Sequence, residues 1–538
     1  MRRSISYWVI VAALAAVAVL TVTLSGRGPV LRNLVHGAIR AIPFRIPGVA
    51  PCPGCNILII NLDTLRAAEL PCLGYARNTT PNLCAFAEKN IMFSRFYSQS
   101  SFTLDSHTSI FTGLYPKSHH VIDALKDDLN REIPTLPEML KNNGYRTIWA
   151  GITNDINLPL KKGMGRGFDE IHDLDGNSES WESEYGKLLT KFTEGKPTYM
   201  FLHSYGVHAP YLAGRGKRQF IGDEYPNIAV TENEFQVHSR PYYEFVISEF
   251  RDRLRSSSTP ESKKRNGEII DSLTAALRDG NLDRAREITW TFPEYENFEM
   301  YFAWYYKQVN PKDPKMVSYI QGLYDERIFQ IDSKLKKLFQ FLNREDVRKN
   351  TIVMILSDNG EEFMEHEYFD HAWNIYENSV HVPFIMAAPK TKRGLYHELG
   401  QEVDIVPTLL DLVGVPTTAT FDGISLRSVV EGRGATHVGQ RYLIGNHRGD
   451  DVISIRNERW KMYKNNTKEK KHVELYDLLT DPGEQRNMLG DHLPIARLLD
   501  QSLETILAAS PKYASVSGEF PGWIDDQKRQ KLIDSGYF

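Results

Sequence analysis

Three short segments of this sequence place hydroxyls and carboxylates where they could handle an anionic ester. The run Ser101-Phe102-Thr103-Leu104-Asp105-Ser106-His107-Thr108-Ser109 is dense in hydroxyls and enters a helix expected to end near Gly113. A hydroxyl at a helix N-terminus, next to a divalent cation, can be held as an alkoxide, and the open backbone amides there would receive an anionic ester. Asp63 directly follows the apolar run 56–62, and Asp358-Asn359-Gly360 closely follows another at 351–356. Oxygen ligands of this kind suit calcium, magnesium or manganese and not a thiolate-bound metal. Taken singly, an Asp at a strand end is more often a cap, and a hydroxyl cluster is more often a plain helix start. Their combination in one chain is what points to ester chemistry.

Such a combination needs a scaffold that brings distant segments to one edge. The runs 56–62, 147–152, 198–202, 351–356 and 384–387 are apolar and β-rich, as expected of strands buried on both faces. Between them the patterns at 137–142, 317–342 and 404–412 read as helices, the last with Asp404 as its expected N-cap. Alternation of this kind predicts an α/β fold with a mostly parallel central sheet flanked by helices, and such sheets bind ligands at the C-terminal ends of their strands. A polar and aromatic stretch at 212–315 reads as an insertion, with helical patches at 242–255 and 268–287 and a loop at 256–265. Beyond 414, short strands at 452–455, 460–463 and 473–478 predict a small antiparallel C-terminal sheet. The expected division is an N-terminal signal anchor or signal peptide at 1–30, a linker at 31–55, a catalytic domain at 56–415 and a C-terminal subdomain at 416–538.

The chain has 538 residues, 41% hydrophobic and 25% charged, which excludes a small disulfide module, a disordered chain and a fibrous repeat. Its 64 Lys and Arg balance 68 Asp and Glu for a net charge of -4, so it lacks the basic footprint of a nucleic-acid partner. Arg2 and Arg3 precede a charge-free run at 7–24 closed by Arg27, Gly28 and Pro29. That run is long for a signal-peptide core and is followed by no good small-x-small cleavage site. It predicts an uncleaved anchor, with the rest of the chain on the extracytoplasmic side of a membrane. Cys52, Cys55, Cys72 and Cys84 are the only cysteines; their spacing departs from a zinc ribbon and is better read as disulfides of an oxidising compartment, in any of three pairings.

Several stretches together resemble the sulfatase branch of the alkaline phosphatase superfamily, from Asn56 to about Leu489. They include NILIINLDTLRAAELPCLGY at 56–75, the run 79–121 containing SQSSFTLDSHTSIFTGLYPKSHHV, FLHSYGVHAPY at 201–211, ILSDNGEEFMEHEYFDHAWNIYENSVHVPFI at 355–385, VDIVPTLLDLVGVP at 403–416 and ELYDLLTDPGEQRNM at 474–488. The resemblance implies that Asp63, Asp358 and Asn359 hold one divalent metal. Asn359 favours calcium, with magnesium, manganese or zinc as alternatives and a second metal left open. It places Thr103 as nucleophile and a further metal ligand. His107 stands in the place of a signature arginine, and His208 and His371 stand at positions that contact the anion or protonate the leaving oxygen.

The departures from the family pattern narrow the chemistry. Standard sulfatases carry Cys or Ser in a Cys-x-Pro-Ser-Arg signature and convert it to formylglycine, whereas this chain has Thr103-Leu104-Asp105-Ser106-His107. Oxidation of a threonine would give a ketone, so a hydrated aldehyde cannot form. The family's Gly-Lys-x-His element is replaced by Gly151-Ile152-Thr153-Asn154. Thr64 after Asp63 matches threonine-type relatives that act on phosphorus, which in turn commonly have His in place of Asn359 and Pro in place of Asp105. The expected activity is metal-dependent hydrolysis of a phosphate or sulfate ester through a covalent adduct on Thr103, phosphate favoured. The substrate would be a small molecule or an anionic ester borne on a glycan or lipid. A phospho-alcohol transferase of the cell envelope and a non-catalytic binder of anionic glycans are the alternatives. His203 and His366 are left outside this expected site, and Asp332 is expected to be structural, bonding to a nearby backbone group.

Overall fold

Every residue of the strand β1, Asn56–Leu62, is buried, and alternate side chains enter opposite cores. Leu58, Ile60 and Leu62 join one apolar cluster, whereas Ile57 and Ile59 join the other. A strand clothed on both faces belongs in the middle of a sheet. In the computed structural model β1 is central in a sheet of eight strands among the described residues. These are residues 51–517 apart from 125, 154–157, 159, 177–179, 212–218, 222–238, 258, 293–299, 301–302, 306, 308, 435–440, 448–450 and 468–470.

The other strands are β2 (Ile91–Phe93), β3 (Arg146–Gly151), β4 (Glu170–Asp173), β5 (Thr198–Ser204), β6 (Thr351–Leu356), β7 (Phe384–Ala387) and β8 (Gly394–Tyr396). Their order is β8-β2-β7-β6-β1-β5-β3-β4. β1 runs parallel to β5 and β6, while β7 is antiparallel to both its neighbours, so the sheet is mostly parallel, as the sequence predicts. The helix α8, Pro314–Leu342, contributes Ile328, Ile331 and Leu335 to one face. On the other lie α2, Thr103–Thr112, and α9, Ile405–Val413, through Ile110, Phe111, Val406 and Leu409. The helix α2 ends at Gly113 in the left-handed region, φ 70, where a Cβ would come within 2.9 Å of the Phe421 ring.

The short helix α1, Pro81–Ala87, has no side-chain cap from its own Thr80. Asp332 of α8 supplies it instead, accepting from the Leu83 amide at 2.7 Å, the Asn82 amide at 3.0 Å and Asn82 Nδ2 at 2.8 Å. Its expected structural role is thereby confirmed. Asp332→Ala would orphan these donors, and a loss of about 2 to 3 kcal/mol in urea unfolding is expected. A loss below about 0.5 kcal/mol would show that the cap contributes little.

Several expected boundaries change. α3, Leu136–Lys141, fits its predicted position. The loop expected at 256–265 is largely helix, because Thr259 accepts from the Ser262 amide and Pro260 opens α6, Pro260–Arg278. The patch expected at 268–287 is split between α6 and α7, Leu282–Trp290, with Gly280 at φ 68 and Asn281 capping the second helix. The patch at 242–255 is α5, Arg240–Ser256. Asp404 stands at the N-cap position of α9 without capping it; its carboxylate accepts from the Gln401 and Ile424 amides.

The small C-terminal sheet is an antiparallel meander of β9 (Leu443–His447), β10 (Val452–Arg456), β11 (Trp460–Asn465) and β12 (His472–Asp477). The helix α10, Leu493–Ala509, packs on it through Ala496, Leu499 and Leu503. The cysteines close two disulfides, Cys52–Cys55 and Cys72–Cys84. The run 7–24 lies outside the described residues, among which no helix is long and apolar enough to cross a membrane.

Candidate active site

The parallel register that pairs Asn61 with both Leu356 and His203 brings the C-terminal ends of β6, β1 and β5 side by side. Asp63, Asp358 and Asn359 emerge there, all fully buried. Their loops are tied together: Ser357 Oγ accepts from the Leu65 amide at 2.9 Å and donates to the Asn359 carbonyl at 2.7 Å. Tyr324 of α8 donates to the Thr64 carbonyl at 2.6 Å and accepts from the Arg66 amide, bracing a turn in which Thr64 has φ 60. Gly360 cannot carry a side chain, since a Cβ would meet the Asn378 carbonyl at 2.0 Å.

The helix α2 presents Thr103 and His107, one turn apart, to the same edge. The His107 ring lies 2.9 Å from the Thr103 carbonyl and 3.4 Å from Asp358 Oδ2, while Asn61 Nδ2 donates to Asp358 Oδ1 at 3.1 Å. The structure therefore joins Thr103, His107 and Asp358. It adds His203, whose Nε2 is 3.2 Å from Asp63 Oδ2 and which the sequence reading set aside. The available signal was positional: a histidine near the end of a parallel strand adjoining β1 must face the same edge.

Hard oxygen donors fit this position. Asn359 Nδ2 donates to the Gly360 carbonyl, while its Oδ1 is buried without a hydrogen-bond partner among the described residues. Asp358 Oδ2 accepts no hydrogen bond among the described residues and has the His107 ring 3.4 Å away beside it. A buried carboxylate and amide oxygen left this way are costly unless a cation or water meets them.

His208 and His371 meet as well, their ring centroids 4.8 Å apart and edge to face. A string of rings connects them to the carboxylates: His107 to His203 at 5.1 Å, His203 to Tyr205 at 4.5 Å and Tyr205 to His208 at 5.2 Å. His371 Nδ1 is 2.6 Å from Asp370 Oδ1 and 3.3 Å from both oxygens of Glu361, which also accepts from the Tyr211 hydroxyl at 2.6 Å. Glu361, Asp370 and His371 could together hold a cation. Without one they form an ion-paired cluster. His366 pairs with Glu362 at 3.0 Å and with the Gly483 carbonyl, outside this string.

The two imidazoles are polarised in opposite directions. Burial alone would lower His371, but Asp370 and Glu361 outweigh it and hold the ring well above its ordinary value. Burial and the neighbouring His371 push His208 down. Near neutrality the pair is thus one imidazolium and one neutral ring. The stability that His371 gains from its carboxylates is complete below about pH 6.5 and is lost as pH rises through its raised value. If His371 is the proton donor, kcat/KM should fall on the alkaline side at a pH well above 6.5, and Glu361→Gln should move that limb downward. A limb unmoved in the variant would assign the proton to another group.

A family model described as Sulfatase matches residues 55–415, and one described as N-sulphoglucosamine sulphohydrolase, C-terminal, matches residues 364–509. A delta 4,5-hexuronate-2-O-sulfatase of Bacteroides thetaiotaomicron is 23% identical over 88% of each chain. Arylsulfatase K of Homo sapiens is 24% identical over 79% of this chain and 77% of its own. Among solved structures, the phosphonate monoester hydrolase SpPMH from Silicibacter pomeroyi aligns with a TM-score of 0.58 at 18% identity, covering 85% of this chain and 96% of that one. A structure in complex with its substrate D-glucosamine-2-N,6-O-disulfate aligns at 0.57 and 20% identity, over 85% and 98%. Structural likeness at such identities concerns the fold alone.

Proposed function

The chain belongs to the sulfatase family of ester hydrolases, and from that premise we propose that it cleaves a glycan-borne or small-molecule anionic ester with Thr103 as nucleophile, phosphate in preference to sulfate. The observation that carries this reading is that Asp63, Asp358 and Asn359 follow neighbouring parallel strands at one sheet edge, where His107 of α2, one turn after Thr103, lies 3.4 Å from Asp358 Oδ2. A divalent cation held by Asp63, Asp358 and Asn359, calcium by preference, would lower the pKa of the Thr103 hydroxyl and offset charge on a non-bridging oxygen. Thr103 gives its hydroxyl proton to solvent and Oγ attacks in line, forming its bond to phosphorus or sulfur as the bond to the leaving oxygen breaks. His371 gives that oxygen its proton, and neutral His208 beside it is placed to hold the anionic group. His107, against Asp358 and the Thr103 carbonyl, fixes the first turn of α2. Water then attacks the adduct and restores Thr103.

A sulfate ester on a uronate or amino sugar is the second reading, favoured by what the relatives' names state they act on. The two disulfides support placement of the catalytic domain outside the cytoplasm, anchored by the segment 7–24. The test is turnover of matched aryl sulfate, phosphate monoester and phosphodiester by the metal-loaded protein, with and without an acceptor alcohol. Fastest turnover of a phosphorus ester to free alcohol is expected. Activity confined to sulfate would overturn the phosphorus preference, product on the acceptor would make the protein a transferase, and turnover of none would favour a binding role.

A further inference from the structure

The segment leading into Thr103 is fastened to the C-terminal sheet. Gln99, fully buried, accepts from the Asn446 amide at 2.7 Å through its carbonyl and from the Val403 amide at 3.1 Å through Oε1. Its Nε2 donates to Gln401 at 3.0 Å and to the Ile444 carbonyl at 3.4 Å, and its amide donates to Glu402 at 3.0 Å. Gly445 in β9 packs under Ser454 and Ile375, where a Cβ would fall 2.8 Å from Ser454 Oγ and 3.3 Å from Ile375.

One residue further on, the Ser100 hydroxyl donates to Asp105 Oδ2 at 3.1 Å and lies 3.2 Å from His447 Nδ1. A hydroxyl has one proton. With that proton given to Asp105, the remaining partner must be the donor, so His447 carries its hydrogen on Nδ1. The Ser100 carbonyl accepts from both Ser98 Oγ and Ser106 Oγ, at 2.6 and 3.1 Å, and the His447 ring stands edge-on to Phe102, the N-cap of α2. His447, Ser100 and Asp105 are all buried, and Asp105 lies in the first turn of α2, two residues beyond Thr103.

We infer that His447, delivered by the C-terminal sheet, is a positioning residue of the ester site, acting through Ser100 on Asp105 to fix the helix turn that carries Thr103. The chain of donors is directional, His447 to Ser100 to Asp105, and it ends on a carboxylate whose orientation toward the loop holds that turn against 98–102. The inference rests on Thr103 as the nucleophile, so its test includes a readout that needs no turnover.

In the full-length protein, His447→Ala is expected to lower kcat about ten-fold and to leave KM within about two-fold, the loss of one buried hydrogen bond acting on geometry and not on substrate binding. His447→Asn, whose Nδ2 can take the place of the ring Nδ1 and donate to Ser100, should recover most of that loss. Ser100→Ala should match His447→Ala, and combining the two should cost less than about two-fold more, because the link is already cut. Losses that multiply, or an asparagine as poor as the alanine, would overturn the inference. Hydrogen exchange gives the second readout: the Ser106 amide, which bonds the Phe102 carbonyl at 3.1 Å, should exchange about ten-fold faster in each deletion variant, with Ile59 of β1 unchanged. Unchanged Ser106 exchange would overturn the positioning role. Faster Ser106 exchange in a protein that turns over no ester would uphold it while the Thr103 chemistry fails.

Discussion

Thr103→Ala is expected to lower kcat by roughly 10⁴-fold or more on whichever ester the protein turns over, the scale on which removal of an attacking side chain acts. Thr103 is the residue whose backbone opens α2, and the neighbouring Ser106 hydroxyl is committed to the Ser100 carbonyl. Binding should survive, since the helix amides, His208 and His371 remain, so the variant should retain affinity for inorganic phosphate or for the intact ester. Thr103→Ser keeps the hydroxyl and should retain part of the rate. Equal rates in wild type and Thr103→Ala would assign the attack to water and end the covalent account.

Removal of the cation is expected to have the second large effect. Chelation, or Asp358→Ala, should lower kcat/KM by about 10³-fold, because a Lewis acid contributes several kcal/mol of charge stabilisation and each ~1.4 kcal/mol is tenfold. The chelated protein should recover on addition of calcium, and calcium should raise its melting temperature by mass action, with an increment that grows with concentration. The thermal shift separates loss of binding from loss of chemistry. Asp358→Ala should show neither the activity nor the calcium-dependent shift. Full activity after exhaustive chelation would remove the cation from the reading and leave the buried Asn359 oxygen to a water.

The parts of this site that could be read in the sequence are those encoded by local pattern. The apolar runs 56–62 and 351–356 announce buried parallel strands, which places Asp63 and Asp358 at one edge, and the hydroxyl run up to Gly113 announces α2. What local pattern does not carry is register. His203 looked like a strand-end residue until its pairing opposite Asn61 set it against Asp63. The strand β9 escapes local pattern because Gly445 and Asn446 lower its strand propensity, yet the Asn446 amide is what ties it to the Gln99 carbonyl. The loop expected at 256–265 failed for a nearer reason: its serines and lysines read as solvated, while Thr259-Pro260 is itself a helix start. Asp404 failed as a cap because its carboxylate is committed to the Gln401 and Ile424 amides, a tertiary choice that composition cannot show.

The central claim is that Thr103 itself becomes esterified during turnover. Rapid acid quench of the metal-loaded protein during turnover of a phosphate ester, followed by peptide mapping by mass spectrometry, tests it directly. A phosphate adduct on Thr103 is expected in the wild type within one turnover and none in Thr103→Ala. Steady turnover with no adduct on Thr103, or an adduct on another residue, would contradict it.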